Sequence, residues 1–128
     1  MQELLEKIFY FIKLRRIYDH YVMSERDDFI YESVHLHIPI EQDNDYFDFY
    51  YPYLYPKYDI IIISRREYRK TNQVIYDITY NYAYKPTCIE ELYDIIRKIL
   101  NYIVKYKSLT NQDREYLTLF ILLENLRV

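Results

Sequence analysis

The spacing of hydrophobic residues divides the chain into a helical start, a middle with strand alternation and a helical end. Between residues 2 and 23, apolar side chains recur every three or four positions, which predicts one amphipathic helix. Acidic residues lead and basic residues follow along this segment, an order that suits the helix dipole. The polar stretch 24–28 ends the predicted helix.

Four segments in the middle of the chain are predicted to be β-strands, three of them because successive side chains alternate between the two faces of a strand. They span residues 29–40, 46–55, 58–70 and 74–84. Pro52 and Pro56 limit hydrogen bonding along the second strand and favour an edge or a bend there. The third strand begins with the isoleucines at 60–63, a run typical of a central strand that is covered on both faces.

Capping signals predict two helices at the end of the chain. Thr87 followed by Glu90 forms a capping box, and the apolar stripe after it predicts a long helix. Thr110, with Asp113 in the first turn, opens a last helix that continues to Arg127. Apolar residues cover most of the circumference of this last helix, so we expect its own fold or a partner to bury it.

These elements predict one α+β domain over residues 1–128. Short connections between successive strands favour a four-stranded antiparallel meander sheet. One N-terminal helix and two C-terminal helices accompany the sheet, in the order αββββαα. The pattern leaves open whether the helices cover one face of the sheet or share both.

Composition removes several classes of function. The 128 residues include no glycine, so the chain holds no glycine-rich nucleotide loop, and Asn, Asp and Pro must form the turns. A single cysteine, Cys88, excludes an internal disulfide and a multi-cysteine zinc site. No serine or cysteine lies in a nucleophile motif. We therefore expect no enzyme activity and no cofactor, with a metal-dependent nuclease of dispersed acidic residues as the enzymatic alternative.

Tyrosine is the residue that most distinguishes this sequence. The 19 tyrosines are more than a domain of this size can enclose, because each buried hydroxyl needs a hydrogen-bond partner. Many of the rings must then lie at the surface. Exposed tyrosines offer large amphipathic contact areas at low entropic cost, which indicates a protein-binding surface.

Charge is unevenly distributed although the net charge is only -3. An acidic segment that also carries tyrosines is the predicted protein-binding site, because it could contact a basic partner. Its residues are Glu41, Asp43, Asp45, Tyr46, Asp48 and Tyr50. A basic cluster supports the alternative of a small nucleic-acid-binding regulator, with cations on phosphates and a ring on a base. That cluster consists of Arg65, Arg66, Tyr68, Arg69 and Lys70.

The three histidines raise the question of a metal site. His35 and His37 share one strand face, and His20 lies near the end of the predicted first helix, with Asp19 or Asp28 as further ligands. Histidines at alternate strand positions more often line the solvent side, and the spacing is not specific. We therefore predict no metal site, with a transition-metal site at His35 and His37 as a minor alternative.

The sequence predicts neither a membrane segment nor a secretion signal. Its longest purely apolar run is the four isoleucines at 60–63, whereas a spanning helix needs about 20 residues. Acidic residues interrupt the apolar positions near the N-terminus, unlike a secretory signal. We expect a cytoplasmic protein that does not enter a membrane.

In overall character the chain resembles the small accessory proteins of rod-shaped and filamentous viruses that infect hyperthermophilic archaea. The likeness lies in its small size, its single cysteine and its Ile- and Tyr-rich segments at 60–63 and 46–58, and it includes no diagnostic motif. It implies a thermophilic, host-directed protein such as an anti-CRISPR inhibitor. Such a protein binds a host protein or ribonucleoprotein complex in the host cytoplasm and blocks it sterically. A self-assembling structural protein, with a homodimer through residues 110–127, is a further alternative.

Overall fold

The computed structural model describes residues 1–40 and 58–124. The helices are α1 (Gln2–Arg15), α2 (Ile89–Tyr106) and α3 (Asn111–Leu123). The strands are β1 (His20–Glu25), β2 (Phe29–Pro39), β3 (Tyr58–Tyr68) and β4 (Val74–Tyr80). This order, with all described strands antiparallel in one sheet, confirms the predicted αββββαα arrangement of an α+β fold.

The sheet is a meander in which each strand pairs with its neighbour in sequence, in the order β1-β2-β3-β4. Val34 on β2 lies opposite Tyr21 on β1 and Ile63 on β3, and Ile63 lies opposite Ile78 on β4. β3 is therefore an inner strand, as its isoleucine run predicted, but the described helices cover only the face with Ile61 and Ile63 and not the face with Ile60 and Ile62.

The predicted first helix, 2–23, is too long. α1 ends at Arg15, and Arg16 takes a left-handed conformation with φ 53° while its N–H bonds to carbonyls of the last turn. After a short connection, β1 pairs with β2 over six residues. Tyr21 and Val22 fit helical spacing and strand alternation equally well, and pairing with β2 decides in favour of the strand. The predicted strand 46–55 lies outside the described residues. β1, which was not predicted, is one of the four strands of the described sheet.

Several other boundaries differ from the prediction by one to four residues. The N-cap of α2 is Cys88 rather than Thr87, and the carboxylate that reaches back belongs to Glu91 rather than Glu90. Thr87 donates its backbone N–H to Glu91 Oε2 at 2.8 Å. β4 ends at Tyr80 rather than at residue 84, where a turn begins. Thr110 caps α3 as predicted, because its side chain accepts a hydrogen bond from Asp113 N.

The turn at the end of β4 shows how a chain without glycine reverses direction. Asn81 and Tyr82 both have positive φ, 52° and 65°. Asn81 tolerates this conformation and anchors it, since its Oδ1 accepts the Ile60 N–H at 2.8 Å and its Nδ2 donates to Asp59 Oδ1 at 3.0 Å. The sequence predicted asparagine in such positions, but Arg16 and Tyr82 take the same conformation without that advantage.

α1 and α2 pack on the same face of the sheet, which we call the covered face. The sheet contributes the buried side chains Val34, Leu36, Ile61, Ile63 and Ile78 to this core. The helices contribute Phe9 and Ile12 from α1 and Ile96, Ile99 and Ile103 from α2, among others. Both helices thus bury their apolar stripes against one apolar layer, which answers the question that the sequence left open.

α3 packs on α1 and completes the helical layer from outside. The ring of Tyr116 stacks on that of Phe11, with 5.3 Å between centroids, and Arg15 Nε donates to Asp113 Oδ1 at 2.6 Å. In the described part of α3 only Leu117 and Phe120 are buried, so the described fold does not bury this helix on all sides, and burial by a partner stays a prediction. The homodimer through 110–127 stays a prediction.

No helix within residues 1–40 and 58–124 has the length and apolar character needed to cross a membrane.

The carboxylate of Asp19 ties β2 and α2 to the connection between α1 and β1. It accepts hydrogen bonds from the His37 backbone N–H at 2.8 Å, the Tyr102 hydroxyl at 2.8 Å and Lys107 Nζ at 3.0 Å. Burial alone would raise the pKa of Asp19, but these three donors outweigh it and hold the pKa below the ordinary 3.8.

We expect Asp19→Asn to lower the free energy of unfolding by about 1–3 kcal/mol at pH 7, because an amide replaces a charged acceptor. The carboxylate stabilises the fold fully above pH 3.8, and this contribution disappears as pH falls through the lower pKa of the folded state. Urea unfolding between pH 7 and 2.5 measures both effects. Asp94→Asn removes only an exposed ion pair with Arg97 and should cost less than about 0.5 kcal/mol. Equal losses for the two variants would contradict the role of Asp19.

Candidate binding face of the sheet

The second face of the sheet, which we call the open face, carries the side chains that alternate with the core residues. No helix among the described elements packs on it, since α1 and α2 both lie against the covered face. Strand alternation and the observed register bring these side chains together. They are His20, Val22, Ser24, Phe29, Tyr31, Ser33, His35, His37, Tyr58, Ile60, Ile62, Ser64, Arg66, Tyr68, Ile75, Asp77 and Thr79.

An aromatic corner occupies one end of the open face. The rings of Phe29 and Tyr68 lie opposite each other on β2 and β3, with 5.7 Å between centroids. The guanidinium of Arg66 lies 5.9 Å from the Phe29 centroid and 3.9 Å from Asp77 Oδ2. Arg66 Nε is shielded from solvent and has no hydrogen-bond partner within the described residues. The corner therefore combines two partly exposed rings with a cation that is only loosely paired.

The three histidines lie at the other end of the open face. His20 and His35 form an edge-to-face pair with 5.2 Å between centroids, and His37 lies 6.3 Å from Tyr58. His20 is thus the first residue of β1 rather than part of a helix. Within the described residues, no group of three or more His, Cys, Asp or Glu side chains is placed to hold a metal ion. Asp19 is engaged by other donors, and Asp28 lies at the opposite end of β2.

The surroundings at this end of the open face shift the pKa of His35. Its Nε2 lies 3.0 Å from Ser33 Oγ, a side chain that is fully buried. Burial lowers the pKa of His35 below the ordinary 6.5, and the neighbouring charges of His20 and His37 lower it further. The neutral ring is therefore the form that the folded chain favours.

The predicted acidic site, Glu41, Asp43, Asp45, Tyr46, Asp48 and Tyr50, lies outside the described residues. The structure therefore does not relate it to either face.

The predicted basic cluster is not one surface. Arg65 points to the covered face, where its Nε donates to the Tyr76 hydroxyl oxygen at 3.2 Å and its guanidinium lies near Glu67. Arg66 and Tyr68 lie on the open face, and Lys70 lies in the turn before β4. Alternation along β3 separates Arg65 from Arg66, which a linear count of basic residues could not show.

The Arg69 side chain also makes contacts within the fold. Its Nε donates to the Arg26 carbonyl at 3.1 Å, and its guanidinium lies 3.8 Å from Glu25. Beside it, an open groove of about 520 Å³ lies at the turn between β3 and β4. Its lining residues are Asp28, Tyr68, Lys70, Thr71, Gln73 and Ile75.

Many of the described tyrosines lie wholly or partly at the surface, as the large number of tyrosines in the sequence predicted. Of the 14 in the described residues, two are buried, Tyr76 and Tyr102, and five are exposed. The other seven are partly buried: five of them, including Tyr21, pack against the core, and Tyr31 and Tyr68 lie on the open face. Burial and a hydrogen bond to Glu32 raise the pKa of Tyr21 to about 12. The expectation that many rings lie at the surface is confirmed for this part of the chain.

Sequence reasoning did not find the open face as a site. The predicted sites were runs of charged residues, whereas this face is built from Phe29, Tyr31, Ile60, Ile62 and their neighbours. The sequence signal that could have revealed this face is strand alternation: the residues between successive core positions in β2, β3 and β4 all lie on it.

We compared the chain with protein-family models, curated proteins and solved structures, and none of these matches it.

The low pKa of His35 makes the stability of the fold depend on pH. The folded chain takes up this proton less readily than the unfolded chain, so stability is full above pH 6.5 and falls as pH drops through the lower folded pKa. We expect His35→Gln to lose less stability than the native chain between pH 7.5 and 5, measured by urea unfolding. Thr79→Val, a non-titrating change on the same face, should keep the native pH slope. An unchanged slope in His35→Gln would contradict the assignment.

Proposed function

We propose that this chain is a non-enzymatic protein-binding module whose docking surface is the open face of its sheet. One observation carries the proposal. The open face joins aromatic and aliphatic side chains from all four strands, whereas the described helices occupy only the other face. A sheet face with partly exposed rings and aliphatic groups fits the apolar, aromatic centre of a protein interface.

Charge favours a protein partner over nucleic acid on this face. Among its described strand residues other than the histidines, Arg66 and Asp77 are the only charged side chains, and they lie near each other. A nucleic-acid surface would need several unpaired cations to neutralise phosphates. Depletion of charge at the centre is instead typical of protein interfaces.

The class of partner comes from the resemblance to archaeal viral proteins. On that basis the module would bind a host defence complex, such as a CRISPR effector, and block it sterically. The open face would supply the apolar centre of the contact, and the acidic segment from Glu41 to Asp48 would supply charge. Purified effector complex is the direct test of this partner class, since loss of its target binding on addition of the chain would support blocking.

Site-specific photo-crosslinking tests the docking face and identifies the partner in one step. A benzophenone amino acid at Tyr31 or Tyr68 places the probe on the open face, and the same probe at Tyr106 places it on an exposed tyrosine of α2. In extract of the natural host, we expect the open-face probes to give the same crosslinked protein and the Tyr106 probe to give none. Excess unmodified chain should compete. Crosslinks only from Tyr106, or only to nucleic acid, would contradict the proposal.

Once that protein is purified, Tyr31→Ala should weaken its binding at least tenfold, because central aromatic side chains dominate such interfaces. Calorimetric titration measures the change. Tyr106→Ala serves as the matched control and should leave the affinity within about twofold.

A second candidate function, binding of single-stranded nucleic acid, has one observation in its favour. Tyr68 and Lys70 line the groove at the turn between β3 and β4, with Arg66 and Arg69 beside it. A base could stack on the Tyr68 ring while these cations contact phosphates.

For this candidate, we expect fluorescence anisotropy with a labelled oligonucleotide to show affinity that falls with salt, with a log-log slope of about -2 if three cations take part. Replacing Arg69 and Lys70 together by Gln should flatten the slope, whereas Arg114→Gln on α3 should leave it unchanged. Affinity that is independent of salt would remove the candidate.

A further inference from the structure

The outer edge of β1 exposes a row of backbone groups. In an antiparallel pair, residues alternate between those that bond to the partner strand and those that point away from it. The Arg26 N–H bonds to the Phe29 carbonyl, so by the observed register His20, Val22 and Ser24 bond to β2. Tyr21, Met23 and Glu25 therefore direct their N–H and C=O groups outward.

None of these outward groups is hydrogen-bonded within the described chain. The backbone hydrogen bonds near β1 involve Asp19 and Arg26, on either side of the strand. The side-chain bonds of this region likewise leave the backbone of Tyr21, Met23 and Glu25 without a partner in residues 1–40 and 58–124. Such a row is a template for another strand.

The opposite edge of the sheet is blocked. Gln2, the first residue of α1, accepts the Tyr76 N–H and donates to the Tyr76 carbonyl, each at 2.8 Å. Tyr80 closes its own outward groups with Tyr84, through bonds of 2.8 and 3.0 Å. The outward groups of β4 are thus interrupted at two of their four residues, Tyr76 and Tyr80. Proteins commonly protect edges in such ways, and within the described residues β1 shows no comparable device.

The side chains of β1 also favour pairing. The strand contains no proline or lysine, and its only formal charge is Glu25 at the end. Met23 is 56% exposed although it is apolar and central in the strand. An edge whose one formal charge lies at its end, with an exposed apolar side chain at its midpoint, can accept another strand.

We propose that two copies of this chain pair through β1 around a two-fold axis at Met23, which joins their sheets into one of eight strands. This proposal goes beyond the docking function and does not depend on it. The two strands would run antiparallel, with Met23 opposite Met23 of the second copy and Tyr21 opposite Glu25 of the second copy. Three pairs of outward residues would then exchange about six backbone hydrogen bonds.

The charges of β1 explain why the second copy fits this register. With the axis at Met23, each Glu25 lies opposite a tyrosine, and Arg26 lies opposite His20. A shift of the axis to Glu25 would place two carboxylates against each other, which is destabilising. The axis at Met23 is also the one that uses all three outward residues of the strand.

The joined sheet would have a definite layout. A two-fold axis perpendicular to the sheet keeps the covered faces of both copies on the same side. The two open faces would therefore become one continuous surface, and the free edge of each monomer would disappear.

Charged side chains introduced at Met23, on the proposed axis, test the proposal. We expect light scattering after size-exclusion chromatography at about 100 µM to give twice the monomer mass of 16.2 kDa. Met23→Lys places two ammonium groups across the axis and should raise the dissociation constant at least tenfold, and Met23→Glu should do the same with carboxylates. An equimolar mixture of the two variants should restore the dimer as a heterodimer. Met23→Leu keeps an apolar side chain and is the matched control.

Backbone hydrogen exchange shows whether strand pairing is the cause. The amide protons of Met23 and Glu25 should exchange slowly in the dimer and fast in Met23→Lys, while the core amide of Ile63 stays protected in both. Circular dichroism confirms that the variants remain folded. A native chain that is monomeric at 100 µM would overturn the proposal. So would a dimer that survives Met23→Lys but dissociates in Leu122→Glu, since that dimer would form through α3.

Discussion

The structure depends on one-sided burial of the sheet. Val34, Ile63 and Ile78 lie side by side on neighbouring strands, and α1 and α2 press on this row from the same direction. Because side chains alternate along a strand, committing one parity to the core leaves the other parity for contacts of another kind. The open face, with its aromatic corner at one end and its histidines at the other, follows from that division.

The polar anchors of the fold lie where this apolar layer ends. The carboxylate of Asp19 fixes the C-terminal end of α2 to β2, and Glu32 is held on the covered face by Tyr21 and Lys13. Each places an ionised oxygen among several donors at the boundary of the core, where a hydrogen bond to a charge is stronger than one in open water. The apolar layer supplies the bulk of the stabilisation, and these anchors fix the orientation of the elements around it.

Sequence reasoning recovered the order of elements because strong local signals support it. The isoleucine run of β3, the alternation in β2 and β4 and the cap at Thr110 each require little tertiary information. β1 was missed because its apolar residues fit both periods, and only its pairing with β2 distinguishes them. The site was harder, since the separation of Arg65 from Arg66 and the meeting of Phe29 with Tyr68 depend on strand register.

The two bonds between Gln2 and Tyr76 join the first turn of the chain to its last strand, 74 residues later. α1 contacts β4 more extensively than it contacts β2 or β3. This helix can therefore reach its native position only after the whole meander has formed. Contacts of such long sequence separation slow folding, because the loop entropy must be overcome before they form. During synthesis, the apolar stripe of α1 would therefore remain uncovered until the ribosome has delivered β4, and chaperones would have that interval in which to bind it.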